Sequence, residues 1–190
     1  MRVLFVCTGN TCRSPMAEAL FQHKIEENRL RDSWGEIQVR SAGLYKFKGT
    51  SISSHTLTVL AEYGIQFKRE PQGINPELIE WADLVLTMTR FHKYMASSLY
   101  PEFCNKIFTL KEFVGQNSFD ISDPVGRSLS RYRQCAQEID DSLNLFYQKL
   151  ADLPRLASFV PSPTFQSLPF SLRLFKWLMG VLRLSKKMNC

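Results

Sequence analysis

A cysteine and an arginine separated by five residues stand near the start of the chain, at Cys7 and Arg13. The apolar residues 3–6 before them are typical of a buried strand, and the Ser-Pro pair after them, with Ser14 as N-cap, is typical of a helix start. The loop between the two elements can turn successive backbone N–H groups inward, and the helix dipole adds positive potential. The pattern therefore predicts a cup for a phosphate-sized dianion, with a thiol at its base and a guanidinium at its rim.

The thiol gives this cup a chemistry that an ordinary phosphate-binding loop lacks. Inward N–H donors, Arg13 and the helix amino terminus favour the thiolate of Cys7, and a thiolate held against phosphate is placed to attack phosphorus. Arg13 can hold two phosphoryl oxygens in a bidentate contact. The alternative is a buried structural cysteine beside a solvated arginine, which the flanking strand and helix disfavour.

The remaining loop residues each suit a phosphate cradle. Gly9 lets the backbone approach the anion, Asn10 tolerates a left-handed conformation, and Ser14 can donate to the thiolate. Cys12 either traps an oxidised Cys7 as a disulfide or is a small buried residue, and the sequence leaves both open. The predicted substrate-binding set is Thr8, Gly9, Asn10, Thr11, Cys12 and Ser14.

The segment Cys-Thr-Gly-Asn-Thr-Cys-Arg-Ser-Pro-Met-Ala-Glu, residues 7–18, resembles the opening of the low-molecular-weight protein tyrosine phosphatase family. The resemblance covers residues 1 to about 150 and implies a cysteine-dependent protein phosphatase with a phosphocysteine intermediate. The loop is most similar to the protein arginine phosphatase branch, because tyrosine-directed members usually carry Ile or Leu in place of Thr11. Residues 69–72 depart from the His-x-Ser-Arg-like motif of many members, so no role is transferred to them.

A second chemical element lies in residues 119–126, just before the last predicted helix. Attack on phosphorus expels a poor leaving group, and an acid that protonates it is worth about 10²–10⁴-fold in rate. The resemblance points to the aspartate before proline, Asp123, with Asp120 as the rival. Both residues could instead only cap the loop.

Two positions favour phosphoarginine over phosphotyrosine as the substrate. Tyrosine-directed relatives commonly place aromatic residues after the Asp-Pro pair, where this chain has Val125 and Gly126, and Thr11 adds a hydroxyl to the loop. We therefore predict hydrolysis of phosphoarginine in proteins, with a protein tyrosine phosphatase as the main alternative. A thiol-linked arsenate reductase would need a resolving cysteine pair that residues 80–98 lack, and a non-catalytic phosphate-binding module would normally have lost Cys7, Arg13 or Asp123.

Apolar runs alternate with helical periodicity along residues 1–150. Strands are predicted at 3–6, 36–40, 82–88 and 107–110, and helices at 14–30, 54–63, 76–81, 89–99 and 129–150. Such alternation predicts an α/β domain with three layers, in which a four-stranded parallel sheet carries helices on both faces, as in a Rossmann-like phosphatase fold. Ligands bind at the carboxyl ends of such strands, where Cys7 stands.

The chain divides by composition into a phosphatase domain (1–150), a Pro/Ser-rich linker (151–168) and a basic amphipathic tail (169–190), which is predicted to form a helical appendage. The net charge is +6, and residues 151–190 hold six basic residues and one acid, so the nearly neutral body gives little support to a nucleic-acid partner. Residues 169–187 are too short and too charged to span a bilayer, but they could lie on an anionic membrane surface or dock against a protein.

The five cysteines are odd in number, and neither they nor the three histidines are spaced like metal ligands. We expect no metal and no cofactor. The histidines are expected to fill ordinary surface or core roles. Met1 and Arg2 lead directly into the first predicted strand without a signal peptide, so the sequence predicts a cytoplasmic protein, peripheral at a membrane if its tail binds one. Its partners would be phosphorylated proteins.

Overall fold

The computed structural model describes residues 1–27 and 37–157. Four strands form one sheet in the order β2-β1-β3-β4: β1 (Arg2–Cys7), β2 (Gln38–Gly43), β3 (Leu84–Thr87) and β4 (Ile107–Thr109). Every neighbouring pair is parallel. The predicted four-stranded parallel sheet is thus confirmed.

Helices connect the strands and cover the sheet. They are α1 (Arg13–Glu27), α2 (Ser54–Glu62), α3 (Pro76–Trp81), α4 (Arg90–Leu99), α5 (Leu110–Val114) and α6 (Leu129–Ala157), and a 3₁₀ turn spans Pro101–Lys106. Among the described residues, no helix is both long enough and apolar enough to cross a membrane.

Alternate residues of β1 enter two separate cores, one on each face of the sheet. Val3 and Phe5 belong to the core beneath α1, α2, α5 and α6, whereas Leu4 and Val6 belong to the core beneath α3 and α4. In the first core, the ring of Phe21 stacks on that of Phe146 at 4.8 Å between centroids. Complete burial of such a side chain stabilises the fold by about 1.5–3 kcal/mol. The two cores give the predicted three layers.

The start of α1 differs from its prediction. The first helical hydrogen bond runs from Met16 N to Cys12 O (3.1 Å), so Ser14 lies inside the first turn and is not the N-cap. Its hydroxyl contacts the Cys7 sulfur instead. For Ser14, a contact with another element outweighs the local preference for the N-cap.

The structure also differs from the prediction at α5 and at the end of α6. Helix α5 was not predicted; its capping box joins Thr109 and Glu112, and Gly115 ends it in the left-handed conformation. Helix α6 continues past the expected end at 150 to Ala157. The predicted end of α1 at 28–30, the rest of the predicted linker (158–168) and the tail (169–190) lie outside the described residues.

The three longer strands end at the same edge of the sheet. Cys7 pairs with Gly43 at the end of β2, and Val6 pairs with Thr87 at the end of β3. This register brings the loop after β1 beside the segments that follow β2 and β3. Those segments supply most of the side chains that hold the loop.

Candidate active site

The Cys7 thiol lies at the carboxyl end of β1, with only 3% of the residue exposed. Its sulfur is 3.0 Å from the hydroxyl oxygen of Ser14. That hydroxyl also lies 3.2 Å from the carbonyl oxygen of Ala42, to which it can donate. A serine has one hydroxyl proton, and a thiolate is a stronger acceptor than a carbonyl because it is charged. Ionisation of Cys7 would therefore draw the Ser14 proton towards sulfur.

Asn10 fixes the backbone of the loop. It adopts a positive φ of 56°, the left-handed conformation that the sequence analysis allowed. Its Nδ2 donates to the hydroxyls of Ser14 (3.0 Å) and Ser41 (2.7 Å), and its Oδ1 accepts from the backbone N–H of Gln72 (3.0 Å). The amide is thus occupied by protein partners, so Asn10 shapes the cup and leaves contact with an anion to the backbone.

Behind Asn10, a buried carboxylate continues the network. The Ser41 hydroxyl donates to Glu18 Oε2 at 2.6 Å, and Arg69 forms an ion pair with the same carboxylate. Burial raises the pKa of Glu18, while the contacts with Ser41 and Arg69 act in the opposite direction. Gln72 Nε2 also donates to the carbonyl of Ser41 (2.8 Å). Arg69 and Gln72 thus support the loop from the segment to which the sequence analysis transferred no role.

Glycine permits the close approach of β2 to the loop. A Cβ on Gly43 would lie 2.7 Å from the carbonyl carbon of Gly9 and 2.9 Å from Asn10 N, distances that no real side chain tolerates. Immediately after Gly43, the N–H groups of Leu44 and Tyr45 donate to the carbonyls of Cys7 (2.8 Å) and Thr8 (3.0 Å). The loop and the segment after β2 are therefore one hydrogen-bonded unit.

Arg13 and Asp123 meet at the other end of the loop. Arg13 Nη2 lies 2.6 Å from Asp123 Oδ2; the arginine side chain is 5% exposed and the carboxylate 52%. Asp120 has a different role, since it accepts the backbone N–H of Arg90 (2.7 Å) at the start of α4. Of the two candidate acids, Asp123 is the one that the structure places against the guanidinium.

Thr11 and Cys12 form the part of the loop that faces α2 and α6. The carbonyl of Thr11 accepts from Ser53 N (3.0 Å) and Thr56 Oγ1 (3.3 Å), and the Thr11 residue is partly exposed. The buried Cys12 sulfur lies 3.4 Å from Tyr132 Oη. Burial raises the pKa of that phenol, with the contact from Cys12 acting in the same direction. Cys12 is therefore placed against α6 by a contact that sequence spacing could not indicate.

Thr8, the residue after the thiol, has a histidine partner from α4. Its hydroxyl oxygen is 2.8 Å from Nε2 of His92, a buried residue. Burial lowers the pKa of His92 to about 4, and the positive charge of Arg13 acts in the same direction. The sequence analysis gave His92 only an ordinary core or surface role, because nothing in the spacing connects residue 92 with the loop.

The shifted pKa of His92 predicts a pH dependence of stability. Between pH 6.5 and about 4, the unfolded chain binds a proton on this imidazole and the folded protein does not. The free energy of unfolding should therefore fall as the pH drops through this window, by up to about 3 kcal/mol. Denaturant unfolding at pH 7, 5.5 and 4.5 checks this. The difference between wild type and His92→Gln should shrink on acidification; a constant difference contradicts the prediction.

No group of three or more His, Cys, Asp or Glu side chains within residues 1–27 and 37–157 is placed to hold a metal ion. The loop carries backbone N–H groups, a thiol and a guanidinium, which together suit a phosphoryl group.

A family model described as low molecular weight phosphotyrosine protein phosphatase matches residues 2–154. The chain belongs to this family. It is 40% identical over 149 residues to a protein-arginine-phosphatase of Geobacillus stearothermophilus, covering 78% of this chain and 95% of the relative. The phosphatase fold and the resemblance to the arginine phosphatase branch are thus both confirmed.

Solved structures agree with this assignment. A YwlE arginine phosphatase mutant with a phosphorylated active-site serine is 38% identical, with a TM-score of 0.75, and the match covers 82% of this chain and 99% of that one. A low molecular weight protein tyrosine phosphatase from T. tengcongensis is 42% identical, with a TM-score of 0.72 and coverage of 78% and 99%. This chain is therefore a protein phosphatase with relatives named for either of two substrates.

Proposed function

We propose that this phosphatase hydrolyses phosphoarginine side chains of proteins through a phosphocysteine on Cys7. The observation that carries the choice of substrate is Thr11, a partly exposed hydroxyl residue held in place on the cup by Ser53 and Thr56. A hydroxyl at this position can hydrogen-bond a guanidinium or a water beside it, and it offers a flat phenyl ring less apolar surface. The match to a protein-arginine-phosphatase over most of the chain supports the same choice.

The first chemical step forms an S–P bond and breaks the P–N bond of phosphoarginine. The Cys7 thiolate attacks phosphorus while Arg13 holds two of the phosphoryl oxygens. Asp123, which contacts the guanidinium of Arg13, gives its proton to the departing guanidine nitrogen. A bound phosphoryl group competes with Asp123 for Arg13, which leaves the Asp123 carboxyl beside the leaving group.

The second step returns the enzyme to its starting state. Asp123, now a carboxylate, accepts a proton from water as the water oxygen attacks phosphorus. The S–P bond breaks, inorganic phosphate forms, and the electron pair of that bond stays on sulfur. The Ser14 hydroxyl, 3.0 Å from the Cys7 sulfur, stabilises the thiolate as it leaves.

A protein tyrosine phosphatase is the second candidate, and an aromatic surface supports it. The ring of Phe47 lies 3.4 Å from the point that a Cβ on Gly9 would occupy, and Phe47 is 53% exposed. The Tyr45 ring is tilted beside it, with 6.3 Å between centroids. Val125, in contrast, is 58% exposed and places no ring after the Asp-Pro pair. A phenol could therefore contact an aromatic ring on one side of the cup.

Thr11→Ile should shift the selectivity towards phosphotyrosine. The substitution removes the hydroxyl and adds apolar surface at the same point, so we expect the ratio of kcat/KM for phosphoarginine to that for phosphotyrosine peptides to fall by about tenfold or more. Steady-state phosphate release from matched peptides measures this ratio. Thr58→Ile, on the exposed face of α2, is the control for the side-chain change itself.

A ratio that stays unchanged, or that rises in Thr11→Ile, contradicts the role of Thr11 in substrate choice. A wild-type enzyme that releases phosphate only from the phosphotyrosine peptide makes the second candidate the function.

The tail is the basis of a separate proposal about partners and location. Residues 169–187 combine basic side chains with Trp and Phe, a composition that suits an anionic membrane surface or a partner protein. The phosphatase would then be a cytoplasmic enzyme that meets some of its phosphoprotein substrates at such a surface. Liposome co-sedimentation of the chain with and without residues 158–190 distinguishes the two partners, since equal sedimentation excludes the membrane.

A further inference from the structure

Thr8 follows Cys7 directly in the chain, and a buried imidazole contacts its hydroxyl. Its oxygen lies 2.8 Å from His92 Nε2, and the Thr8 carbonyl accepts from Tyr45 N, so the residue is fixed at two points. We propose that His92 is a positioning residue of this phosphatase, which orients the Thr8 hydroxyl so that its proton is donated to a phosphoryl oxygen in the cup. The proposal rests on the proposed function, since it requires phosphate above Cys7.

We assign the direction of the hydrogen bonds from Thr89, the N-cap of α4. Its hydroxyl oxygen accepts from His92 N (3.2 Å) and lies 2.9 Å from His92 Nδ1. If the Thr89 hydroxyl donates to Nδ1, the hydroxyl proton of Thr89 and the backbone N–H of His92 both have a hydrogen-bond partner. Nδ1 is then an acceptor, and the ring proton of a neutral imidazole is on Nε2.

This tautomer determines what Thr8 can do. The Nε2 proton is donated to the Thr8 oxygen, so the hydroxyl cannot also donate to the ring. The Thr8 proton therefore remains available for a second acceptor, and the oxygens of a phosphoryl group bound by the loop are the acceptors that the proposed reaction brings to this place. In the other tautomer, Thr8 would donate to His92 and present only lone pairs to the anion, which would repel it.

The surroundings of His92 keep the imidazole neutral. Burial is the main cause, and Arg13, which is part of the cup, acts in the same direction; Asp123 and Asp120 on the opposite loop act against them. On its own helix, the ring of Phe91 lies edge-on at 6.2 Å between centroids. Protonation would turn Nδ1 into a donor and break its contact with the Thr89 proton. The arrangement thus holds from neutral pH down to about 5.

Long-range ¹H–¹⁵N NMR of the imidazole nitrogens tests the direction directly. We expect His92 to show a protonated Nε2 and a bare Nδ1, unchanged between pH 7.5 and 5.5. A protonated Nδ1, or a charged ring at pH 7, overturns the proposal.

Phosphate affinity provides the functional test. The inhibition constant of inorganic phosphate, and KM and kcat for p-nitrophenyl phosphate, are measured for Thr8→Val, Thr8→Ser, His92→Phe and His92→Gln. We expect Thr8→Val and His92→Phe each to weaken phosphate binding by about tenfold. Thr8→Val removes the charge-assisted hydrogen bond to phosphate, and His92→Phe removes the contact that orients the Thr8 hydroxyl for that bond. Serine keeps the hydroxyl and glutamine keeps a donor near the Nε2 position, so these variants should retain most of the affinity. His23→Gln is the matched control.

The double variant Thr8→Val/His92→Phe separates positioning from a general effect on folding. Because His92 acts through Thr8, the double variant should bind phosphate no more weakly than Thr8→Val alone. Wild-type affinity in Thr8→Val, or losses that add in the double variant, overturn the proposal; Thr8→Val decides the question even if His92→Phe does not fold. A wild-type enzyme that phosphate does not inhibit would instead contradict the proposed function.

Discussion

Cys7→Ser is expected to lower kcat by about 10⁴-fold or more, on any phosphorylated substrate. A serine hydroxyl at neutral pH is not ionised. The hydrogen-bond partner of the Cys7 side chain in the described part of the chain is another hydroxyl, that of Ser14, at 3.0 Å, which is not a base. The substitution exchanges sulfur for a smaller oxygen in a buried position and leaves the loop contacts of Asn10 in place. The loss should therefore be chemical and should not reflect unfolding.

Phosphate release in a side-by-side assay of phosphoarginine, phosphotyrosine and phosphoserine peptides measures the effect, with circular dichroism to monitor folding. Cys135→Ser is the matched control, because this thiol is also buried, its pKa is raised to about 12 by burial, and its sulfur donates to the Ser122 carbonyl (3.4 Å). Its turnover should stay close to that of wild type. Undiminished release by Cys7→Ser would remove the phosphocysteine from the mechanism.

Asp123→Asn should lower kcat by about 10²–10⁴-fold and change KM little. An amide cannot supply a proton to the guanidine nitrogen, so the barrier rises at the step that breaks the P–N bond. The ground state loses only the contact between Asp123 and Arg13, which frees the guanidinium for phosphate. The loss should be smallest for substrates whose leaving group departs without a proton, such as p-nitrophenyl phosphate.

The variant Asp120→Asn is the control for Asp123→Asn. Asp120 accepts the backbone N–H of Arg90 at the start of α4, so Asp120→Asn should affect the stability of that helix end and leave kcat almost unchanged. Stopped assays over a series of leaving groups, with thermal unfolding of both variants, separate the two effects. If Asp120→Asn lost the activity and Asp123→Asn kept it, the acid would be Asp120.

The sheet and the longer helices were predictable because burial imposes regular patterns on the sequence. Residues 3–6 are continuous and apolar because β1 faces a core on each side of the sheet. Helix α5 escaped prediction because its residues 110–114 are too few to show a helical period. The true start of α1 was missed because Ser14 contacts the Cys7 sulfur, a tertiary contact that overrides its preference for the N-cap.

The site also combines residues that a local sequence pattern indicates with residues that only tertiary contacts bring together. Cys7 and Arg13 belong to one short loop whose spacing is visible in the sequence, and Asp123 came from a local Asp-Pro pattern together with the family resemblance. Ser41, Gln72 and His92 support that loop from three other segments. Their side chains are common polar types, and only the folded chain brings them to residues 8–10. Sequence spacing therefore indicates the residues that we propose to react and misses those that hold them.

The close contact of Gly43 with Gly9 and Asn10 limits how this enzyme can be redesigned. Even a methyl group at position 43 would push the main chain of the catalytic loop outward, so directed evolution that samples this position should return almost only inactive clones. Phe47, although it belongs to the same connection after β2, points an exposed ring towards the rim and can be exchanged without moving the backbone. Libraries intended to change the accepted phosphoprotein should therefore randomise position 47 and keep position 43 constant.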